Sequence, residues 1–208
     1  MINNELPISW NNLSINEYID LQNLLLDNED GLEREDQLMQ ELQILYGVNP
    51  LSLDMPTFKK YVESLKFMAQ PIPKMKVKNE YLIDGKWYTL HKQLNDFKVA
   101  QYIDYQQIMN EKKGVEAYAE FIALFLIPNG CEYNEGYDIA KAVKDIGNYM
   151  SIADAMAIAA FFLKYCRLYT ALSLLYSQRK ATKTIKDRSK RKQMKAKTKR
   201  LIKLILGE

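Results

Sequence analysis

FIALFLIPNGCEYNEGYDIAKAVKDIGNYMSIADAMAIAAFFLKYCRLYTALSLLY, running from Phe121 to Tyr176, holds the two most apolar segments of the chain with a turn-rich knot between them. The first segment belongs to a helix expected over Val115 to Ile127 and ended by Pro128-Asn129-Gly130. Tyr137 to Met150 predicts an amphipathic helix. The next helix starts at Ser151, a good N-cap, with Asp154 at the third helical position favouring the positive helix terminus. Ala153, Ala155, Ala157, Ala159 and Ala160 give it a narrow surface that lets a neighbouring helix approach closely. Phe161, Phe162, Tyr165, Leu168 and Leu172 supply bulk, so it reads as a central core helix. Lys164 and Arg167 interrupt the apolar run Ala155 to Tyr176. A membrane span normally needs about 18 or more apolar residues with few or no charges, so membrane insertion is not expected.

Upstream, the sequence carries a fainter copy of the same plan. Leu6 to Trp10 alternates briefly, as a short strand would. Ser14 with Glu17 three residues later forms a capping box for a helix over Ile15 to Leu26. The acidic stretch 27–31 lacks the glycine that a calcium loop needs at its sixth position, where Leu32 stands, and it reads as a solvated connector. A second helix fits Leu32 to Tyr46, stopped by Gly47, and a third fits Thr57 to Met68, with Pro56 in its first turn. Superposing Leu13–Leu25 on Phe97–Met109 aligns the string Tyr-Ile-Asp-x-Gln at 18–22 and 102–106. Each copy continues into two further amphipathic helices, which reads as two degenerate helical repeats.

Between the copies lies KVKNEYLIDGKWYTLH, Lys76 to His91. Asp84-Gly85 between alternating apolar residues is a strong hairpin signal, since both turn positions need positive φ. A lone hairpin is marginal in water, so this one should pack on helices or pair with another strand. The fold class expected is mainly α: a helical bundle of two degenerate repeats with one inserted β-hairpin and a long basic C-terminal helix or extension. The divisions fall at 1–70 for the N-terminal repeat, 71–96 for linker and hairpin, 97–176 for the second repeat with the central helix, and 177–208 for the tail.

The net charge of +3 over 208 residues hides an asymmetry. Residues 177–208 hold thirteen Lys and Arg against Asp187 and Glu208, a net of +11, and the other 176 residues carry a net of −8. The tail has no proline and no glycine before Gly207, and it is rich in helix formers. Met194, Leu201, Ile202 and Ile205 fall on one helical face, with Lys195, Lys199, Arg200 and Lys203 largely off it. These eight are the candidate partner-binding residues. Such a run can grip phosphate, an anionic lipid surface or an acidic protein. No aromatic residue follows Tyr176, so base stacking on the tail is not expected. Self-repulsion predicts a tail that is disordered or fluctuates as a helix when free and orders when bound.

Catalytic chemistry has little to work with. His91 is the only histidine and stands beside the hairpin, with no partners in sequence for a triad or a zinc site. Cys131 and Cys166 are too few for a disulfide framework, and with no secretory signal before Pro7 a reducing cytoplasm is the expected setting. The glycines at 130 and 136 read as helix and turn terminators before they read as an anion cradle. No catalytic residue, cofactor or metal site is expected.

Three strings together resemble a known group. They are Ile83-Asp84-Gly85-Lys86-Trp87-Tyr88; Gln101-Tyr102-Ile103-Asp104-Tyr105-Gln106; and Phe125-Leu126-Ile127-Pro128-Asn129-Gly130 with Tyr133-Asn134-Glu135-Gly136-Tyr137-Asp138-Ile139. They are similar to small helical proteins encoded in tail-morphogenesis regions of bacteriophages, especially phages of Bacteroidetes, described as tail assembly chaperone-like. The resemblance covers roughly residues 80–165 and rests on loose motifs; the basic tail is not part of it. It implies a non-enzymatic protein that binds phage tail or connector proteins, or further copies of itself, in the host cytoplasm during assembly. The competing expectation is a permanent virion component, such as a head–tail connector ring subunit or a packaged protein, that uses the tail on a neighbouring protein or, without sequence preference, on DNA.

Overall fold

The computed structural model describes residues 9–27, 34–92, 98–112, 114–133, 135–184 and 187–206, without the side chains of 27, 109, 165–170, 172, 173, 179, 183, 184, 188, 205 and 206. The chain is mainly helical with a small antiparallel sheet. It divides into two compact units, Met1–Ala159 and Ala160–Glu208.

The first unit opens with a turn in which Asn12 N–H donates to Ser9 O at 3.0 Å, so Trp10 sits in a turn and not at the end of a strand. The rest of the expected strand, the connector after Asp27 and Leu32 lie outside the described residues. Helix α1 (Ile15–Asp27) begins at the expected capping box: Glu17 N–H donates to Ser14 Oγ at 3.2 Å, and Ser14 N–H donates to Glu17 Oε2 at 2.8 Å. Helix α2 (Arg34–Tyr46) packs on it and ends at Gly47, whose φ of 62° only a glycine takes without strain. Helix α3 (Met55–Ser64) is capped by Asp54, which accepts from Thr57 N at 2.7 Å. Its expected continuation tightens into a 3₁₀ turn over Leu65–Ala69. These helices enclose a core of Trp10, Leu13, Leu21, Leu42, Leu45, Leu65, Phe67, Ile152 and Ala153. Burying a Leu or Ile side chain of this kind stabilises by about 1.5–3 kcal/mol. Trp10 meets Phe67 edge-on at 5.1 Å, and its indole N–H donates to Gln70 O at 2.9 Å, so the ring is buried with its polar atom satisfied.

Strands β1 (Glu80–Ile83) and β2 (Lys86–Leu90) form the hairpin, with Asp84 at φ 47° and Gly85 at φ 71°. Two positive values are what a type I′ turn requires. A third strand, β3 (Leu126–Pro128), adds antiparallel to β2, pairing Leu90 with Leu126 and Thr89 with Ile127. The helix expected over Val115 to Ile127 is therefore divided. Gly114–Ala117 is a 3₁₀ turn, α5 (Tyr118–Ala123) is short, and the last residues leave the helix to supply the strand the hairpin lacked. Tyr81, Ile83, Tyr88 and Leu90 point into the core, and α6 (Ile139–Tyr149) packs on β1, α5 and α1.

Helix α4 (Val99–Glu111) is held by a buried amide: Gln101 Oε1 accepts from Lys98 N at 2.7 Å while its Nε2 donates to Leu124 O at 2.7 Å. The loop after β3 is tied down by Tyr137, whose hydroxyl donates to Ala123 O at 2.6 Å, and by Tyr133, whose hydroxyl donates to Asp104. Helix α7 (Ile152–Thr184) starts where the sequence places it: Asp154 N–H donates to Ser151 Oγ at 3.1 Å. Ala153, Ala155 and Ala159 are buried, as the small-residue surface predicts, whereas Ala160 is exposed. In the second unit Phe162, Ala171 and Thr182 are buried; the side chains of Tyr165, Leu168 and Leu172 lie outside the described residues. Helix α8 (Arg188–Leu206) completes that unit.

Candidate partner-binding surfaces

Helix α8 carries seven of the eight residues singled out from sequence with described side chains; that of Ile205 lies outside them. It begins at Asp187, whose Oδ1 accepts from Ser189 N at 2.8 Å and Lys190 N at 3.3 Å, and whose carbonyl takes Arg191 N at 3.1 Å. The helix holds nine Lys and Arg and no acid. Met194, Thr198 and Ile202 are half-buried along one side, and Leu201 beside them is 46% exposed. Thr198 lies within this stripe and hides its hydroxyl by donating to Met194 O at 3.1 Å, which keeps the stripe apolar. Lys195, Lys199, Arg200 and Lys203 are exposed and form no ion pair among the described residues. The geometry thus makes the stripe and the unneutralised cations neighbours on one helix. Residues 188–206 stand as a helix, as the expected long basic C-terminal helix or extension would.

Two further apolar surfaces escape the sequence reading. On the hairpin, Leu82 and Trp87 face each other across the register on the solvent side and are 57% and 53% exposed. The only hint in sequence is the run Tyr81-Leu82-Ile83, because successive strand residues alternate faces and one of three apolar neighbours must point outward. On α4, Val99, Tyr102 and Ile103 form an exposed stripe at i, i+3 and i+4.

An open groove of about 380 Å³ lies between α1, α5 and α6. Lys112 and Glu120, paired at 2.8 Å, line it with Glu116 and Lys144, and the pairing raises the Lys112 ammonium above its usual range. Its polar lining is two lysines, two glutamates and Asn16, with no histidine, cysteine or hydroxyl side chain. His91 is exposed, with its backbone N–H on Phe125 O at 2.8 Å. Cys131 is a free thiol, half-buried. Among the described residues no cluster of His, Cys, Asp and Glu has the geometry of a metal site, and no helix is long and apolar enough to cross a membrane.

No family model matches the chain, and neither the curated proteins nor the solved structures contain a match.

Proposed function

We propose that this chain is a non-enzymatic assembly protein of a bacteriophage, similar to tail assembly chaperones, which engages tail or connector proteins through helical surfaces. The observation that carries the binding role is α8, where a half-exposed apolar stripe runs beside Lys195, Lys199, Arg200 and Lys203, which form no ion pair among the described residues. Unpaired charge of one sign next to apolar surface is what an acidic protein groove recognises, the apolar residues supplying affinity and the lysines supplying register and encounter rate. The Leu82–Trp87 and Val99–Tyr102–Ile103 surfaces add apolar area of the kind a chaperone presents to the exposed patches and strand edges of unassembled subunits. The phage setting rests on the resemblance of residues 80–165.

A second reading is favoured by α8 itself, which lies outside that resemblance: a permanent virion component, such as a connector subunit, that holds a neighbour through this helix. Mass spectrometry of purified particles beside infected-cell lysate tests both. A chaperone is abundant in lysate and missing from particles, whereas a virion component appears in particles at a fixed ratio to tail proteins. Absence from both overturns the phage setting.

A further inference from the structure

The charge of this chain is segregated more sharply than a basic tail on an acidic body. Residues 1–58 contain eleven Asp and Glu and a single base, Arg34, a net of −10. Residues 59–176 carry fifteen bases and thirteen acids, a net of +2, so the acidity of the body belongs almost wholly to its first 58 residues. On α1 and α2, Asp20, Glu35 and Asp36 are exposed and make no ion pair among the described residues. Leu25 and Leu26, exposed on α1 at 42% and 64%, place apolar area beside that acid.

We infer that α8 of one copy docks on the acidic α1–α2 surface of a second copy. The inference rests on the reading of α8 as a partner-binding helix and supplies its partner. Both surfaces mix apolar side chains with charge of one sign, and the signs are opposite. Nucleic acid fits less well, because the net of −10 on the same chain repels a polyanion, and α8 offers no aromatic ring for stacking. A lipid surface fits less well because the apolar side of α8 has no Trp or Phe. Because the two surfaces differ, the contact is head-to-tail, and repetition gives a ring if the rotation closes or a filament if it does not.

The test is sedimentation velocity of the full-length chain over a concentration series at low and high salt, with two charge-reversed variants, Lys195→Glu/Lys199→Glu and Asp20→Lys/Glu35→Lys. Self-docking requires species larger than a monomer at low salt that dissociate on adding salt, and association weakened about tenfold or more by either variant alone. An equimolar mixture of the two variants recovers heterologous association, which misfolded protein cannot do. A chain that stays monomeric at every concentration overturns the inference, including one whose sedimentation coefficient changes with salt because α8 docks on its own body. Salt-sensitive binding of a DNA duplex by the monomer also overturns it. A monomeric chain that still binds tail proteins keeps the proposed function while losing self-docking; one that binds neither loses both.

Discussion

Ser14 and Ser151 are antiparallel bridge partners, and each is also the N-cap of a helix. Around them Ile15 N–H donates to Met150 O at 3.2 Å and Ile152 N–H to Leu13 O at 2.8 Å, so the starts of α1 and α7 are stitched together across more than a hundred residues. Each hydroxyl satisfies a first-turn amide that has no partner inside its own helix. Ser14→Ala and Ser151→Ala are each expected to cost about 1 kcal/mol of stability. Because the two caps share one bridge, the double variant should depart from the sum of the singles. Denaturant titration of the three variants decides this; strict additivity would mean the bridge does not couple the helices.

The crossing of α1 and α6 is set by Gly147. A Cβ there would lie 2.7 Å from Asn16 Oδ1 and 2.9 Å from Asn16 Nδ2. Asn16 is exposed and its side chain can turn away, giving up its bond from Nδ2 to Asn148 Oδ1 at 2.7 Å. Against that small loss, alanine gains about 1 kcal/mol of helix propensity over glycine. Gly147→Ala is therefore expected to be near neutral, whereas Gly147→Leu must separate the helices and costs about 1–3 kcal/mol. Chemical denaturation of both variants gives the comparison, and an alanine more costly than leucine would contradict this geometry.

What the sequence revealed, and what it hid, follows from the same local physics. The Asp84-Gly85 turn and the caps at Ser14 and Ser151 were legible because each rests on a residue type with few alternatives. Phe121 to Ile127 was read as helix and became helix plus strand. Every residue in it is buried, so neither a 3.6-residue nor a 2-residue period marks the change. The strand forms there because β2 presents an open edge, a tertiary cause no window of sequence contains. The stripe on α8 was legible from helical spacing, but the outward pair Leu82–Trp87 was not, since alternation does not say which face of a sheet the rest of the chain will cover.

Alkali should unfold this protein from within. Burial raises the Tyr81, Tyr133 and Tyr137 hydroxyls above the ordinary tyrosine range. Tyr81 is pushed up to about 12 although its bond from Lys78 N pulls the other way, and the Asp104 carboxylate adds to the rise at Tyr133. Unfolded tyrosine ionises near pH ~10, so above that pH the unfolded chain has lost protons the folded chain keeps, and stability falls as pH rises. Each buried tyrosine contributes a slope of up to about 1.4 kcal/mol per pH unit until its folded pKa is reached. Denaturation midpoints measured from about pH 8 to about pH 12 should be level at first and then drop beyond pH ~10. A level profile throughout would place these hydroxyls in water.

On α8 the apolar and cationic contributions separate by substitution. Leu201→Ser/Ile202→Ser leaves every cation in place, so any retention of a DNA duplex of arbitrary sequence that the unaltered chain shows should change little. Docking in a protein groove should weaken about tenfold or more, because the stripe supplies the buried area there. Electrophoretic mobility shift and sedimentation of the same preparation report the two arms. An equal loss in both would mean that the variant disturbs the helix and not its apolar face.

The two tryptophans report the outward face of the hairpin directly. Trp10 is 9% exposed, packed edge-on against Phe67 with its indole N–H on Gln70 O, whereas Trp87 is 53% exposed opposite Leu82. Trp87→Phe should therefore leave blue-shifted emission that iodide barely quenches, and Trp10→Phe should leave red-shifted, readily quenched emission. Stability separates them as well. Trp10→Phe loses the bond to Gln70 O and leaves space where the larger buried ring stood, which costs about 1–3 kcal/mol, while Trp87→Phe at an exposed sheet position stays within about 0.5 kcal/mol. If the hairpin face is a docking surface, adding a bound partner should blue-shift and protect Trp87 in the Trp10→Phe protein. Trp87 emission that stays quenchable in such a complex would leave α8 and α4 as the surfaces engaged and the Leu82–Trp87 pair as solvent-facing sheet.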